Sequence, residues 1–250
     1  MSRLAALFVL SLLALVPGLG HGQALVTDLS EHVVTVNSSF TGTELLLFGM
    51  TDGPGDIVVV VQGPREDVVV RRKENVGGLI WINRRAVGFE RVPGYYVVAS
   101  SRQLTSITTL AARAQHRMGA DYLDFSLAAS TRRIAGAELT AFRQAVVRNK
   151  RAAELYYEAE ESVQFVGERL FRTKLTIPAH APDGNYTVNT YLLRNQQVVA
   201  QQSTPLSIVK SGFEQTVFSL AHEQPAIYGL AAVLISVFAG WAAAAIFRKS

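Results

Sequence analysis

The densest group of chemically capable side chains is basic. Arg71, Arg72 and Lys73 are consecutive, and Arg84 and Arg85 follow a short distance on. Guanidinium groups grip oxyanion oxygens bidentately, so neighbouring strands that joined these runs could hold an oxyanion or an acidic partner. Glu66, Asp67, Glu74 and Glu90 lie close enough in sequence to neutralise them. In that case the run is a solvated charged edge that discourages edge-to-edge sheet pairing, and the local charge balance favours this reading. Five histidines occur: His21, His32, His116, His180 and His222. None forms H-x-x-H or H-E-x-x-H, and none has a carboxylate at ligand spacing. A hydrolase would need His116, His180 and Asp183 to converge from distant segments. Asp52-Gly53-Pro54-Gly55-Asp56 offers two carboxylates to a calcium ion, but a tight turn uses the same residues for its geometry alone. There is no G-x-S-x-G, phosphate loop or G-x-G-x-x-G, and no cysteine. The sequence therefore points to no enzyme, no catalytic residue, no metal site and no cofactor.

What must position these side chains is a chain with apolar ends. Residues 226–247 carry no charge and match the roughly 20 residues that cross a bilayer core, which predicts one transmembrane helix. Tyr228 and Trp241 lie towards its ends, and Arg248 and Lys249 follow it. Ala232, Ser236, Gly240 and Ala244 recur every fourth residue, a small-residue face suited to close helix packing. Residues 1–24 read as a signal peptide: Arg3, an apolar run from Leu4 to Val16, the break at Pro17-Gly18, and Gly22-Gln23-Ala24. Both ends predict a single-pass plasma-membrane protein with its body outside, in the periplasm where two membranes exist, and residues 248–250 in the cytosol. The formal charge is +4. Without Arg3, Arg248 and Lys249 the body holds 21 basic against 20 acidic residues, so a nucleic-acid partner is not expected.

Between the ends, residues 25–103 read as β. Short runs rich in Val, Ile and aromatics (His32–Val36, Glu44–Phe48, Asp56–Gln62, Asp67–Arg71, Leu79–Asn83, Tyr95–Ser100) are punctuated by Gly, Pro, Asn and Asp. Ile57–Val61 does not alternate, which predicts burial on both faces. The sheet is expected to end in a charged edge at Arg71-Arg72-Lys73. Residues 104–161 lack proline and predict a helical insert, with Leu139, Phe142, Val146, Ala153 and Tyr156 or Tyr157 near helical spacing. Residues 162–210 return to β, with Tyr186–Arg194 pairing Gln197–Ile208 across Asn195-Gln196. Pro182 to Val188 is similar to the tyrosine corner of immunoglobulin-like sandwiches. The expected body is a mainly β, immunoglobulin-like antiparallel sandwich, as one core or two. Residues 211–225 link it to the membrane, with Phe213, Val217, Phe218 and Ala221 able to share one helix face.

Successive landmarks then run the length of the chain. They are Leu29-Ser30-Glu31-His32, Phe40-Thr41-Gly42, Leu47-Phe48-Gly49, Gly63-Pro64, Val70-Arg71-Arg72-Lys73 and Trp81-Ile82-Asn83. Leu170-Phe171-Arg172, Gly184-Asn185-Tyr186, Lys210 to Gln215, Tyr228-Gly229-Leu230, Gly240-Trp241 and Phe247-Arg248 continue them. In these the chain resembles the alphaproteobacterial transmembrane family Alph_Pro_TM. The resemblance implies a signal, an exported domain and a C-terminal membrane helix, with no assigned activity and no catalytic residues. It also implies a transport accessory role beside a permease of the sulfite-exporter type. The expected function is thus a non-enzymatic accessory subunit docked on another integral membrane protein. The alternative is a periplasmic solute-binding module with an anion pocket near Arg71, Arg72 and Arg84. An envelope hydrolase ranks last.

Overall fold

Alternation builds the first sheet. In β1 (Leu25–Leu29), β3 (Gly42–Thr51) and β11 (Leu170–Pro178), every second side chain turns inward, as period-two strands with one wet face require. With β10 (Gln164–Val166) they form a four-stranded sheet in the order β1-β3-β11-β10. The computed structural model describes residues 24–37, 40–76, 80–129, 131, 134, 136–210, 221–222 and 224–247, excluding the side chains of 73–76, 80–85, 227, 231 and 242–247. Gly49 of β3 is dictated by close packing. A Cβ there would sit 2.5 Å from the Val26 carbonyl oxygen and 2.6 Å from the Phe171 ring.

The second sheet has six strands, in the order β2 (Val33–Val36), β13 (Gln197–Lys210), β12 (Gly184–Arg194), β4 (Asp56–Gln62), β7 (Tyr96–Ser100) and β9 (Tyr156–Ala159). Residues Ile57 to Val61 of β4 are all buried, and so is the whole of β7. The unbroken Ile57–Val61 run therefore does mark a strand covered on both faces. Ile57, Val59 and Val61 pack towards the first sheet with Leu45, Leu47, Phe171 and Leu175. Val58 and Val60 pack the other way, against a helical layer. That layer comprises α1 (Leu104–Ile107), α2 (Leu110–His116), a 3-10 turn at Ala120–Tyr122 and α3 (Gly136–Ala152). A long hairpin of β5 (Arg65–Val76) and β6 (Ile80–Pro93), joined by β8 (Ser126–Leu127), crosses it and adds Val70, Val87 and Phe89 to the same core.

Strands from before and after the insert interleave. β3 pairs with β11, β4 with β12, and β2 with β13. One sandwich results, not two, and both halves of the sequence are needed to close it.

Four expectations are corrected. The sheets are mixed rather than purely antiparallel, because β2–β13 and β7–β9 run parallel. The chain changes sheets between Leu29 and Val33, and returns from the insert into β9, so both strands arrive alongside neighbours of the same direction. Tyr156 and Tyr157 lie in β9 and not on a helix face. The helix stops at Ala152, and Glu154 takes a left-handed backbone at φ 55°. The sheet does not end at Arg71–Lys73, because β5 continues to Val76 in the hairpin. Finally, the expected membrane span at 226–247 does form a helix, α4 (Pro225–Phe247). Among the described residues, however, no helix is long and apolar enough to cross a membrane. The signal at 1–24 falls, apart from Ala24, outside the described residues. So do residues 211–220 of the linker and the tail at 248–250.

Two local readings hold. Asn195 and Gln196 have φ 51° and 64° and join β12 to β13 as a two-residue turn. The Tyr186 hydroxyl donates to the Pro182 carbonyl at 2.5 Å, tying the start of β12 to the corner before it.

Candidate functional site

The hairpin places Arg71 and Arg72 within strand β5. Arg71 lies opposite Ala86 and Arg72 opposite Arg85, and a bulge follows between Arg72 and Lys73. Beside them lies α3, which buries Phe142, Val146 and Val147 and turns Gln144 and Arg148 away from the core. Between strand and helix runs a groove of about 600 Å³. Val70, Ala141, Phe142 and Ala145 supply apolar lining, and Arg71, Arg72, Arg148, Gln144, Asn149 and Glu138 supply polar groups. The alanines keep it open, because longer side chains at 141 and 145 would fill it. Its size lies within the usual range for a small-molecule site.

The charge in the groove is unbalanced. Arg71, Arg72 and Arg148 are exposed, and among the described residues none of the three has an ion pair or hydrogen bond. Two of the four carboxylates expected to neutralise the run are engaged elsewhere. Glu66 pairs with Lys150, and Glu90 accepts from the Ala129 amide at 3.3 Å. Among the described residues, Glu138 alone brings a negative group into the groove, and it too has a partner. Lys73, Arg84 and Arg85 have no described side chains, so only the backbone places them. Arg85 faces Arg72 across the ladder, while Lys73 faces Asn83. Sequence reading found Arg71 and Arg72 but missed Arg148, whose helical period showed its face without showing what that face adjoins.

The other candidates do not assemble. His116 packs on the Tyr191 ring at 4.9 Å, and burial lowers its pKa from the ordinary imidazole value. The His180 Nε2 meets the Ala153 carbonyl at 2.5 Å, and Asp183 pairs with Lys210 at 2.6 Å. Each of the three hydrolase candidates thus has its own separate partner. Asp52 pairs with Arg194, and Asp56 accepts two bonds from Arg102, so both carboxylates of the suggested calcium loop are neutralised by guanidinium groups. No group of three or more potential metal ligands occurs among the described residues.

On α4, Ala232, Ser236 and Gly240 are exposed, and a Cβ on Gly240 would meet nothing within 4 Å. The Ser236 hydroxyl donates back to the Ala232 carbonyl at 2.8 Å, so its one donor is satisfied inside the helix. Ala244 has no described side chain. Among the described residues, nothing covers this face.

Residues 24–249 match the family described as "Putative transmembrane protein (Alph_Pro_TM)". The chain belongs to this family. No curated protein and no solved structure matches it. The description assigns no reaction to the groove.

Proposed function

We propose that the protein is an exported, single-pass membrane protein whose immunoglobulin-like body serves as a non-enzymatic accessory subunit of another integral membrane protein. The observation that carries this reading is α4: 23 residues without a charge, whose side chains from 232 to 241 are all exposed. Apolar surface that the described residues leave uncovered calls for lipid or a protein partner. The immunoglobulin-like assignment rests on the order β1-β3-β11-β10 beside β13-β12-β4, which parallels A-B-E-D and G-F-C, and on the Tyr186 corner. A permease is the partner class that the family resemblance suggests. The test is cross-linking in intact cells, then purification from mild detergent and mass spectrometry, with Gly240→Leu beside the natural chain. Leucine at 240 would keep another helix from approaching the small-residue face. A membrane protein should be recovered with the natural chain and be lost or strongly reduced with the variant. Recovery of the natural chain alone would overturn the stable-subunit reading.

The arginine groove supports a second reading, a module that binds a small oxyanion. Inorganic phosphate and sulfate are the probes, with thermal unfolding of the full chain in detergent as the readout. At a hundredfold excess over Kd, a bound anion stabilises by about 2.7 kcal/mol. Arg148→Ala should remove most of that stabilisation while leaving the anion-free transition in place, because the side chain is exposed and has no partner among the described residues. An unchanged transition with every anion would reject the reading.

A further inference from the structure

The outward face of the four-stranded sheet departs from the polar pattern that a solvated sheet face shows. Val26 stands opposite Met50, Met50 opposite Leu170, and Leu170 opposite Val166, one row crossing all four strands. Their exposures are 44%, 56%, 45% and 48%. The next row outward is Asp28, Phe48, Arg172 and Gln164, and Leu46 lies beyond, opposite Lys174. Three of the four outward residues of β3 between Glu44 and Met50 are therefore apolar and exposed. A contiguous apolar band of this kind on a folded surface marks a contact.

We infer that this face is the contact between two copies of the chain. Its charges balance: Asp28 and Glu44 against Arg172 and Lys174. Three of these are occupied locally, Asp28 with His32 at 2.9 Å and Glu44 with Lys174 at 2.8 Å. Arg172 has no partner among the described residues. A foreign partner selected by charge would leave a surplus of one sign on this face, and there is none. A two-fold axis between the facing sheets, parallel to the strands and midway between β3 and β11, sets β1 over β10 and β3 over β11. That operation lays the apolar row on its own copy. It also sets each Arg172 over the other copy's Phe48, a cation over a ring face, and each Asp28 over a Gln164 amide. An axis across the strands at the apolar row pairs that row but carries the Phe48–Arg172 row past the other copy. Strands of 5, 10, 9 and 3 residues, at about 3.3 Å per residue and about 4.8 Å apart, give a face of about 430 Å², roughly half a standard partner surface of about 800 Å². The expected dimer is reversible and concentration-dependent. It goes beyond the accessory-subunit reading and does not depend on it.

The chain has no cysteine, so an introduced thiol reports alone. Met50→Cys and Leu170→Cys are placed in differently tagged full-length chains, coexpressed and oxidised in the membrane fraction. A mixed cross-linked dimer is expected, in excess over either single variant by itself. Val69→Cys, 62% exposed on the hairpin, measures random collision. Arg172→Ala, which removes two cation–ring contacts per dimer, should weaken association roughly five- to thirtyfold. Gly240→Leu should leave the cross-link in place. A mixed yield no higher than the Val69 control, or a cross-link lost with Gly240→Leu, would overturn the proposal.

Discussion

Above pH 10 the body is expected to unfold within a narrow interval, with its buried tyrosines ionising as it does so. Tyr95, Tyr96, Tyr156 and Tyr186 are all at most 2% exposed. Each hydroxyl donates to a backbone carbonyl: Tyr95 to Thr176 at 2.5 Å, Tyr96 to Arg117 at 2.5 Å, Tyr156 to Pro93 at 2.6 Å, and Tyr186 to Pro182 at 2.5 Å. A phenolate cannot donate, and burial first of all pushes each of these pKa values well above the ordinary phenol value. In the unfolded chain the same groups ionise near pH 10. Above that pH the native state holds more protons than the unfolded state, so stability falls as pH rises. Below pH 10 their contribution is fully present. Tyr95, Tyr96 and Tyr156 alone give a loss of about 4 kcal/mol per pH unit. Against a typical total of roughly 5–15 kcal/mol, a few pH units are enough. Circular dichroism and tyrosinate absorbance, followed together on the full chain in detergent, check this. The four buried tyrosines should ionise together with the loss of structure and not before it. Complete tyrosinate formation near pH 10 with an unchanged spectrum would contradict the account.

What could be read in the sequence was whatever a short window encodes. Ile57–Val61 shows its two-sided burial because all five positions are apolar, and Asn195-Gln196 shows its turn because the two strands flank it directly. The corner at Tyr186 is visible because donor and acceptor are four residues apart. The groove was half legible. Arg71 and Arg72 stand out as a basic run, but Arg148 comes from a helix far along the chain, and only packing joins the two. The apolar row on the outer sheet was invisible for the same reason. Val26, Met50, Leu170 and Val166 are each an ordinary single exposed hydrophobic in their own strand, and only the register of four strands aligns them. Tyr156 was misread because its strand follows the helix after one left-handed residue and a short turn, leaving no break in composition. Propensity has no means of showing a parallel partner such as β7, which lies on the far side of the insert.

Tyr96→Phe is expected to be the most damaging substitution that removes a single atom. The Tyr96 hydroxyl donates to the Arg117 carbonyl and accepts from the Gly119 amide at 2.7 Å, closing the turn after α2 where Arg117 and Gly119 have φ 53° and 123°. The Gly119 amide is buried, Arg117 is half-buried, and Met118 between them is fully buried in the core. Phenylalanine keeps the ring and leaves the Gly119 N–H and the Arg117 C=O without this partner. At roughly 1–3 kcal/mol for each, the loss is about 2–6 kcal/mol, a large part of a typical domain's stability. Tyr191→Phe is the control, a neighbouring tyrosine whose hydroxyl has no hydrogen bond within the described residues; its loss should stay below about 0.5 kcal/mol. The damage should also be local before it is global. The turn at Arg117 pins the insert to the six-stranded sheet, and the insert carries Arg148 to the groove. Hydrogen exchange in residues 104–152 should therefore accelerate more than in β1, β3 and β11, and any anion stabilisation should fall with it. Equal unfolding midpoints for Tyr96→Phe and Tyr191→Phe would show that the turn closes without the hydroxyl. The groove's geometry would then rest on the buried face of α3 alone.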